Sequence, residues 1–212
     1  MSLYEASVGL LYIFSTAFLY PVIVGLLLLF AWSLALIGSM INEYTSRHRM
    51  LGELEDVSVK AADLTREGRA KEAASVLKSY KSPWQVSIAL EETGTSLVMG
   101  LFKFKSEKIL QDAELRMGKA LEPVRIGVKV GPILGLMGTL IPMGPALIGL
   151  SQGDIKSMAD NLVIAFATTV IGLVVGGICY GLLVVKSRWY RQDLSDLEYA
   201  VDLMRSRIDE TK

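Results

Sequence analysis

The stretch "VGPILGLMGTLIPMGPALIGLS", residues 130–151, runs for 22 residues without a charged side chain. A second block, residues 161–185, is free of charge for 25 residues, and a third, residues 8–41, for 34. The apolar core of a bilayer is about 30 Å thick, and about 20 helical residues cross it. Blocks of this length predict an all-α integral membrane protein. In a soluble domain the apolar residues recur in amphipathic stripes instead.

The first charge-free block is too long for one span and too short for two, and Pro21 divides it. Proline removes a backbone donor and disrupts the preceding turn, so it marks a boundary. We predict an interfacial N-terminal helix over residues 2–19, rich in tyrosine and phenylalanine, and a first span over 20–41. A cleaved signal peptide is the alternative, disfavoured because no Lys or Arg precedes the apolar stretch. The other blocks predict spans over 126–150 and 158–185.

Lysine and arginine are distributed unevenly, although the net charge is zero. Fifteen of them fall between Asn42 and Lys129, six follow Val185, and only Lys156 lies in the short loop after the second span. Positive residues remain on the cytoplasmic side of a membrane. The chain is therefore predicted to be a multi-pass protein of the cytoplasmic (inner) membrane, with its N-terminus outside and its C-terminus in the cytoplasm. The basic residues of the large loop are interleaved with 13 acidic ones, which excludes a nucleic-acid-binding patch.

The predicted cytoplasmic domain, residues 42–125, divides before Pro83. Helical periodicity predicts a helical hairpin over 53–79 and one long amphipathic helix over 84–122 that leads into the second span. The tail, residues 186–212, carries apolar residues three and four positions apart and predicts a C-terminal helix. Its apolar stripe must be covered, either by the long helix or by another subunit.

Polar side chains interrupt the second and third spans. Thr139 lies in the middle of the second span, and Thr168 and Thr169 lie in the middle of the third. A threonine in a membrane helix commonly donates its hydroxyl to a carbonyl three or four residues earlier, which is a structural role. Small residues beside these threonines permit close helix approach. The glycines concerned are Gly135, Gly138, Gly172 and Gly176. This pattern is typical both of a packed polar seam and of a pore lining.

Asp160 lies at the outer start of the third span. A carboxylate at the edge of a bilayer is costly, so it tends to face a water-filled path or a partner. Aspartate is also a favoured helix N-cap, so both interpretations stay open. With one histidine and one cysteine, the sequence shows no nucleophile–base pair and no cluster of metal ligands. We therefore expect no enzyme activity, no metal and no cofactor.

Two motifs resemble those of a known family. Residues 130–143, "VGPILGLMGTLIPM", are similar to the second-span motif of the MotA/TolQ/ExbB proton-channel family, a proline followed by Leu-Gly-Leu-x-Gly-Thr. Residues 165–175, "AFATTVIGLVV", resemble its third-span motif, Ala-Leu-x-x-Thr-Ala-Ile-Gly-Leu. The hairpin sequence "REGRAKEAASVL", the three spans and the outer N-terminus agree with the TolQ/ExbB-like branch, because MotA itself has four spans. The resemblance extends over most of the chain.

The resemblance implies a homopentamer around a dimer of a single-span ExbD/TolR/MotB-like subunit, whose membrane aspartate carries the proton in a central pore. By position, Pro132, Thr139 and Thr169 match the family's pore-lining proline and threonines. TolQ/ExbB proteins usually have a glutamate five residues before the third-span threonine, where this chain has Ile164. Asp160, one turn earlier, is a candidate substitute. Because the usual acid is missing, both proton and sodium stay open as the ion.

Two hypotheses of function follow. The resemblance implies an ion-channel stator, part of a molecular motor, that converts an ion-motive force into mechanical work or energised transport. The alternative is a membrane scaffold or assembly protein whose cytoplasmic helices recruit partners while its spans only pack. They differ in whether the chain works with a small single-span protein that bears a mid-membrane aspartate. Import, envelope maintenance and motility are all open as the driven process.

Overall fold

The computed structural model of the protein describes residues 3–47 and 51–209. These residues form seven α-helices and contain no strand. The helices are α1 (Leu3–Ala17), α2 (Leu19–Ser46), α3 (Leu51–Arg66), α4 (Ala70–Ser79), α5 (Trp84–Val98), α6 (Phe102–Ser151) and α7 (Ile155–Asp209). Three stretches are long and apolar enough to cross a membrane, and they are Gly9–Thr45, Phe102–Ser151 and Ile155–Asp209. The all-helical class with three candidate membrane-spanning helices is therefore confirmed.

The described residues fall into two compact units. The first consists of the residues up to Ser39 together with Pro123–Leu183, and the second of Met40–Glu122 together with the residues from Val184 onward. All candidate site residues named above lie in the first unit. Parts of three predicted segments lie outside the described residues: Ser2 of the N-terminal helix, 48–50 of the cytoplasmic domain and 210–212 of the C-terminal helix.

Only Phe18 separates α1 from α2. Pro21 lacks the amide that would donate to the Ala17 carbonyl, and its ring clashes with that carbonyl, so the break falls one turn before the proline. A Cβ added to Gly144 of α6 would lie 3.6 Å from Cε2 of Tyr12, so α1 approaches α6 at this position. That α1 lies at the membrane interface stays a prediction.

In the second unit, α3 and α4 form a hairpin that turns at Gly68, whose φ is 77°. The prediction of one helix over 84–122 is wrong, because the chain turns between α5 and α6 at Gly100 with a φ of 66°. The amide of Leu101 donates to the Ser96 carbonyl at 2.9 Å, and the amide of Gly100 donates to the Leu97 carbonyl at 3.1 Å. This is a Schellman-type helix end, for which glycine supplies the positive φ.

The C-terminal half of α7 buries its apolar stripe within the chain. Its fully buried residues include Leu197, Val201 and Met204. Arg205 pairs with Glu107 at 3.4 Å, and Lys103 pairs with Asp209 at 3.2 Å. Both partners from α6 lie at its start, so this part of α6 lies beside the stripe. Of the two predicted ways to cover the stripe, the structure shows the chain's own helix.

Four prolines lie inside α6, which nevertheless continues as one helix of 50 residues, and they are Pro123, Pro132, Pro142 and Pro145. Neighbouring helices allow a membrane helix to keep its course where a proline removes one backbone bond. At its outer end α6 is joined to α7 by only three residues, Gln152 to Asp154, with Gly153 at a φ of 75°.

Candidate functional site

Glycines bring α6 and α7 into close contact in the first unit. A Cβ added to Gly172 would lie 2.7 Å from the carbonyl oxygen of Gly131 and 2.7 Å from the Cα of Gly135. A Cβ added to Gly176 would lie 2.8 Å from the Pro132 ring. Only hydrogen fits at such distances, so these positions require glycine. Gly138 is similarly restricted, because its Cβ would lie 2.5 Å from the Thr168 hydroxyl oxygen.

The contacts define what we call the glycine seam, with Gly127, Gly131, Gly135 and Gly138 on α6 and Thr168, Gly172, Gly176 and Cys179 on α7. All four glycines singled out from the sequence lie in it. Gly127 and Gly131 were not identified from the sequence, although the spacing of four residues from Gly127 to Gly131 and from Gly131 to Gly135 was the available signal. The contact positions rise along α6 as they fall along α7, so the two helices are antiparallel.

Thr168 lies within the glycine seam. Only 5% of its surface is exposed, and its hydroxyl donates to the carbonyls of Ile164 and Ala165 at 2.9 Å each. The sequence grouped Thr168 with the pathway-lining threonines. Its position against Gly138 instead fits the structural interpretation, in which the hydroxyl bonds back to its own helix.

Thr139 and Thr169 come directly after Gly138 and Thr168, the residues that touch across the seam. Successive helical residues are about 100° apart around the axis. In an antiparallel pair, that rotation turns both following residues toward the same side. Thr139 and Thr169 are half-buried there, and their hydroxyls donate to the carbonyls of Leu136 at 2.7 Å and Ala165 at 3.0 Å. The two threonines therefore share one side of the α6–α7 pair at nearly the same depth.

Pro132 lies on this same side, because the seven residues between it and Thr139 are close to two full turns, about 700°. It contacts Gly176, which lies seven residues after Thr169. We call the side formed by Pro132, Thr139 and Thr169 the threonine flank. The structure thus brings together three of the five residues predicted to line the pathway.

The opposite side of the pair is covered by α2. Its residues Val22 and Leu26 form a buried core with Ile141 of α6. Partly buried residues pack against this core: Leu19, Leu134, Met137 and Ile171. Met137 and Ile141 are each two residues from Thr139, so they lie about 160° around α6 from it. The first span therefore packs away from the threonine flank and leaves that flank uncovered by α2.

Asp160 is neither the helix cap nor part of the threonine flank. The cap is Asp154, whose Oδ1 accepts the amide of Ser157 at 3.0 Å, and α7 has already begun at Ile155. Asp160 lies nine residues before Thr169, about two and a half turns, so the two point to opposite faces of α7. The cap interpretation is wrong, and Asp160 does not take the place of the family's glutamate on this flank.

Substitutions at the two aspartates separate these assignments. Asp154→Ala is expected to lower the free energy of unfolding by about 1 kcal/mol, because the amide of Ser157 loses its acceptor and the N-terminal end of α7 loses a negative charge. Asp160→Asn is expected to leave it unchanged, since its carboxylate is exposed. Thermal melting of the purified protein measures both. A larger loss from Asp160→Asn than from Asp154→Ala would contradict the assignment.

The second unit contains charged side chains that the sequence analysis missed. Lys186 Nζ of α7 lies 2.7 Å from Glu43 Oε2 of α2, and these side chains are 9% and 22% exposed. Arg47 pairs with Asp193, and these side chains are 11% and 4% exposed. Removing one partner of a buried ion pair costs about 3–5 kcal/mol. Sequence periodicity does not predict such pairs, because each pair joins positions that are far apart in the sequence.

Aromatic residues surround these ion pairs. The buried hydroxyl of Tyr190 bonds to Glu43, and burial, followed by the charge of Glu43, raises the pKa of Tyr190 far above its usual range. Tyr190 therefore stays protonated and donates to the carboxylate. The Trp189 ring stacks on Tyr44 with centroids 6.0 Å apart, and the Arg47 guanidinium lies 4.8 Å from its centroid. We call Glu43, Arg47, Lys186, Tyr190 and Asp193 the ionic cluster.

Comparison with known proteins gives one family match. The model described as the MotA/TolQ/ExbB proton channel family matches residues 86–198, more than half of the chain. This range holds the glycine seam, the threonine flank and the α7 side of the ionic cluster. The first span and the α3–α4 hairpin lie before it. No curated protein and no solved structure matched the chain.

Proposed function

Because the chain belongs to the MotA/TolQ/ExbB proton channel family, we propose that it is a stator subunit of a proton channel. With a single-span partner it converts an ion-motive force into mechanical work or energised transport. The threonine flank is the observation that supports this proposal. Hydroxyl-bearing helix sides inside a membrane typically face other helices or water rather than lipid tails.

One side of the α6–α7 pair is covered by α2 and the threonine flank is not, as expected for a subunit of a ring. In such a ring, here proposed to be a homopentamer, the threonine flanks face the central axis and α2 lies at the periphery. The centre then holds two copies of an ExbD/TolR/MotB-like span. The ring lies in the cytoplasmic (inner) membrane with its N-termini outside and its C-termini in the cytoplasm.

The chemistry of the flank requires an acid from another chain. The charge-free blocks at 130–151 and 161–185 contain no aspartate or glutamate, and position 164 is isoleucine. A threonine hydroxyl both donates and accepts hydrogen bonds. While bonded to its own helix it accepts a hydrogen bond from a protonated carboxyl group, and once it turns from that helix carbonyl it donates to an ionised carboxylate. Thr139 and Thr169 in this way stabilise both states of the partner's aspartate as the proton passes.

The composition of the complex tests this proposal against the scaffold alternative. Native mass spectrometry of the chain purified from its own membranes in mild detergent is expected to give five copies of the chain with two copies of a smaller single-span protein. That protein is expected to carry an aspartate in the middle of its span. A chain that purifies alone, or only with soluble proteins bound to its cytoplasmic helices, would favour the scaffold instead.

A further inference from the structure

We infer that the ionic cluster sets the register of the first span, by fixing how α2 lies along α7. The chain runs parallel along α2 and α7 here, because the earlier residue Glu43 pairs with the earlier residue Lys186 and the later Arg47 pairs with the later Asp193. The idea that a fixed first span serves ion-driven movement of the complex rests on the proposed function. The register itself does not, and it can be measured without a partner or an ion gradient.

The contacts that α2 makes in the first unit do not specify its register strongly. Val22 and Leu26 pack against Ile141 through apolar atoms, and Gly25 approaches Leu134. Lipid tails are as apolar as these side chains, so little hydrophobic free energy is lost if such helices slide past each other. A helix held only by these contacts is poorly fixed along its axis.

The order of charges in the ionic cluster opposes sliding in both directions. Glu43 of α2 is an acid and precedes the base Arg47, which directly follows α2, whereas on α7 the base Lys186 precedes the acid Asp193. If α2 shifts by one turn in one direction, Arg47 moves to the place of Glu43 and meets Lys186. If it shifts in the other, Glu43 moves to the place of Arg47 and meets Asp193. Either shift brings like charges together where both are largely buried, which is strongly unfavourable.

Stability alone does not account for this arrangement. Buried ion pairs can often be replaced by apolar residues of similar size without loss of stability, whereas they are well suited to excluding wrong arrangements. The Trp189 ring, which stacks on Tyr44 and lies under the Arg47 guanidinium, adds a packing contact at the same place. The two ion pairs have opposite orders of acid and base along the two segments, so both pairs can form in only one register.

Disulfide formation between α2 and α6 reports the register. A Cβ at Gly25 would lie 3.5 Å from Cδ1 of Leu134, so Gly25→Cys with Leu134→Cys marks the native register. Val130→Cys and Met137→Cys, each about one turn away on the same side of α6, mark shifted registers. All pairs are made in full-length protein with Cys179→Ser, oxidised in detergent, and quantified by mass spectrometry of the linked peptides.

Two charge swaps separate pairing from charge order. In E43K with K186E the pair is kept but its order is lost, because both basic residues then lie at the end of the first span and both acidic ones on α7. In the fourfold swap E43K, R47E, K186E and D193K, both the pairs and the alternation are kept. We expect a preference of about tenfold for the native disulfide in the parent and in the fourfold swap, and a smaller preference in the two-residue swap, because a shifted register then still forms one pair of opposite charges.

Two further variants keep the test decisive. The neutral variant E43Q, R47M, K186M and D193N removes both ion pairs without leaving a charge unpaired, and it is expected to melt like the parent yet lose the preference. The exposed pair Lys78–Glu91, 2.7 Å apart in the same unit, serves as the matched control, and K78E with E91K is expected to change nothing. If the fourfold neutral variant and the two-residue swap both keep the tenfold preference, the ionic cluster does not set the register.

Discussion

Proton flux through the complex of chain and partner is expected to fall by at least about tenfold when Thr139 and Thr169 are both replaced by valine, which corresponds to about 1.4 kcal/mol in the barrier. Valine keeps the shape of threonine but removes the hydroxyl. The carboxylate that carries the proton then loses a partner that serves both its ionised and its protonated state. Assembly is expected to be unaffected, because neither hydroxyl bonds to another helix of the chain. The flux is measured in proteoliposomes with an entrapped pH-sensitive dye under an imposed proton gradient.

Thr168→Val is the matched control for this experiment. Thr168 adjoins Thr169 in the sequence but lies in the glycine seam, where its hydroxyl bonds only to its own helix. Its replacement is expected to leave the flux within about twofold of the parent, although the loss of two bonds lowers stability by about 1 kcal/mol. Equal proton flux in the double valine variant and the parent would show that the two hydroxyls take no part in the mechanism. Equal losses from Thr168→Val and Thr169→Val would show that the threonine flank has no special role.

Gly172→Ala is expected to destabilise the protein by about 1–3 kcal/mol or more, the range for an added methyl group in a closely packed region. The new methyl carbon would meet the backbone of Gly131 and Gly135 at 2.7 Å, and backbone atoms cannot turn aside as a side chain does. The helices must separate along the glycine seam to accept it. Thermal melting of the purified protein in detergent, followed by intrinsic fluorescence, measures the loss.

Gly177→Ala, on the same helix, supplies the control. Apart from the neighbouring backbone of its own helix, no atom of the described residues lies within 4 Å of a Cβ at this position. Alanine is the better helix former, so this substitution is expected to leave stability unchanged or to raise it by up to about 1 kcal/mol. If Gly172→Ala melts like Gly177→Ala, the close approach at the seam is not required for stability.

Sequence reasoning was most successful where a signal is local and long. Three charge-free blocks predicted three spans, because crossing a bilayer requires a run of apolar residues and little else. The spacing of Gly135 and Gly138 beside Thr139 indicated close helix packing, because small residues at helical spacing mark such contacts. The end of α5 at Gly100 was missed, since the apolar periodicity continues through "VMGLF" and hides the glycine that ends the helix.

Features that depend on the third dimension were beyond sequence reasoning. Thr168 and Thr169 are adjacent and identical in type, and only the packing of α6 against α7 assigns one to the seam and the other to the flank. The covered side of that pair depends on where α2 lies, which no pattern in α2 reveals. The ion pair of Glu43 with Lys186 joins residues 143 positions apart, so neither partner could be identified from its neighbours.

The three-residue connection after α6 affects how the protein enters its bilayer during synthesis. Bringing two helix ends together across so short a link costs little chain entropy, and contacts that are close in the sequence form early in folding. Closure can then spread from the turn along the glycine seam toward Gly127, with no other part of the chain required. The second and third spans, formed by α6 and α7, are therefore expected to insert as a preassembled hairpin. The first span, formed by α2 and synthesised earlier, is expected to pack against this hairpin afterwards.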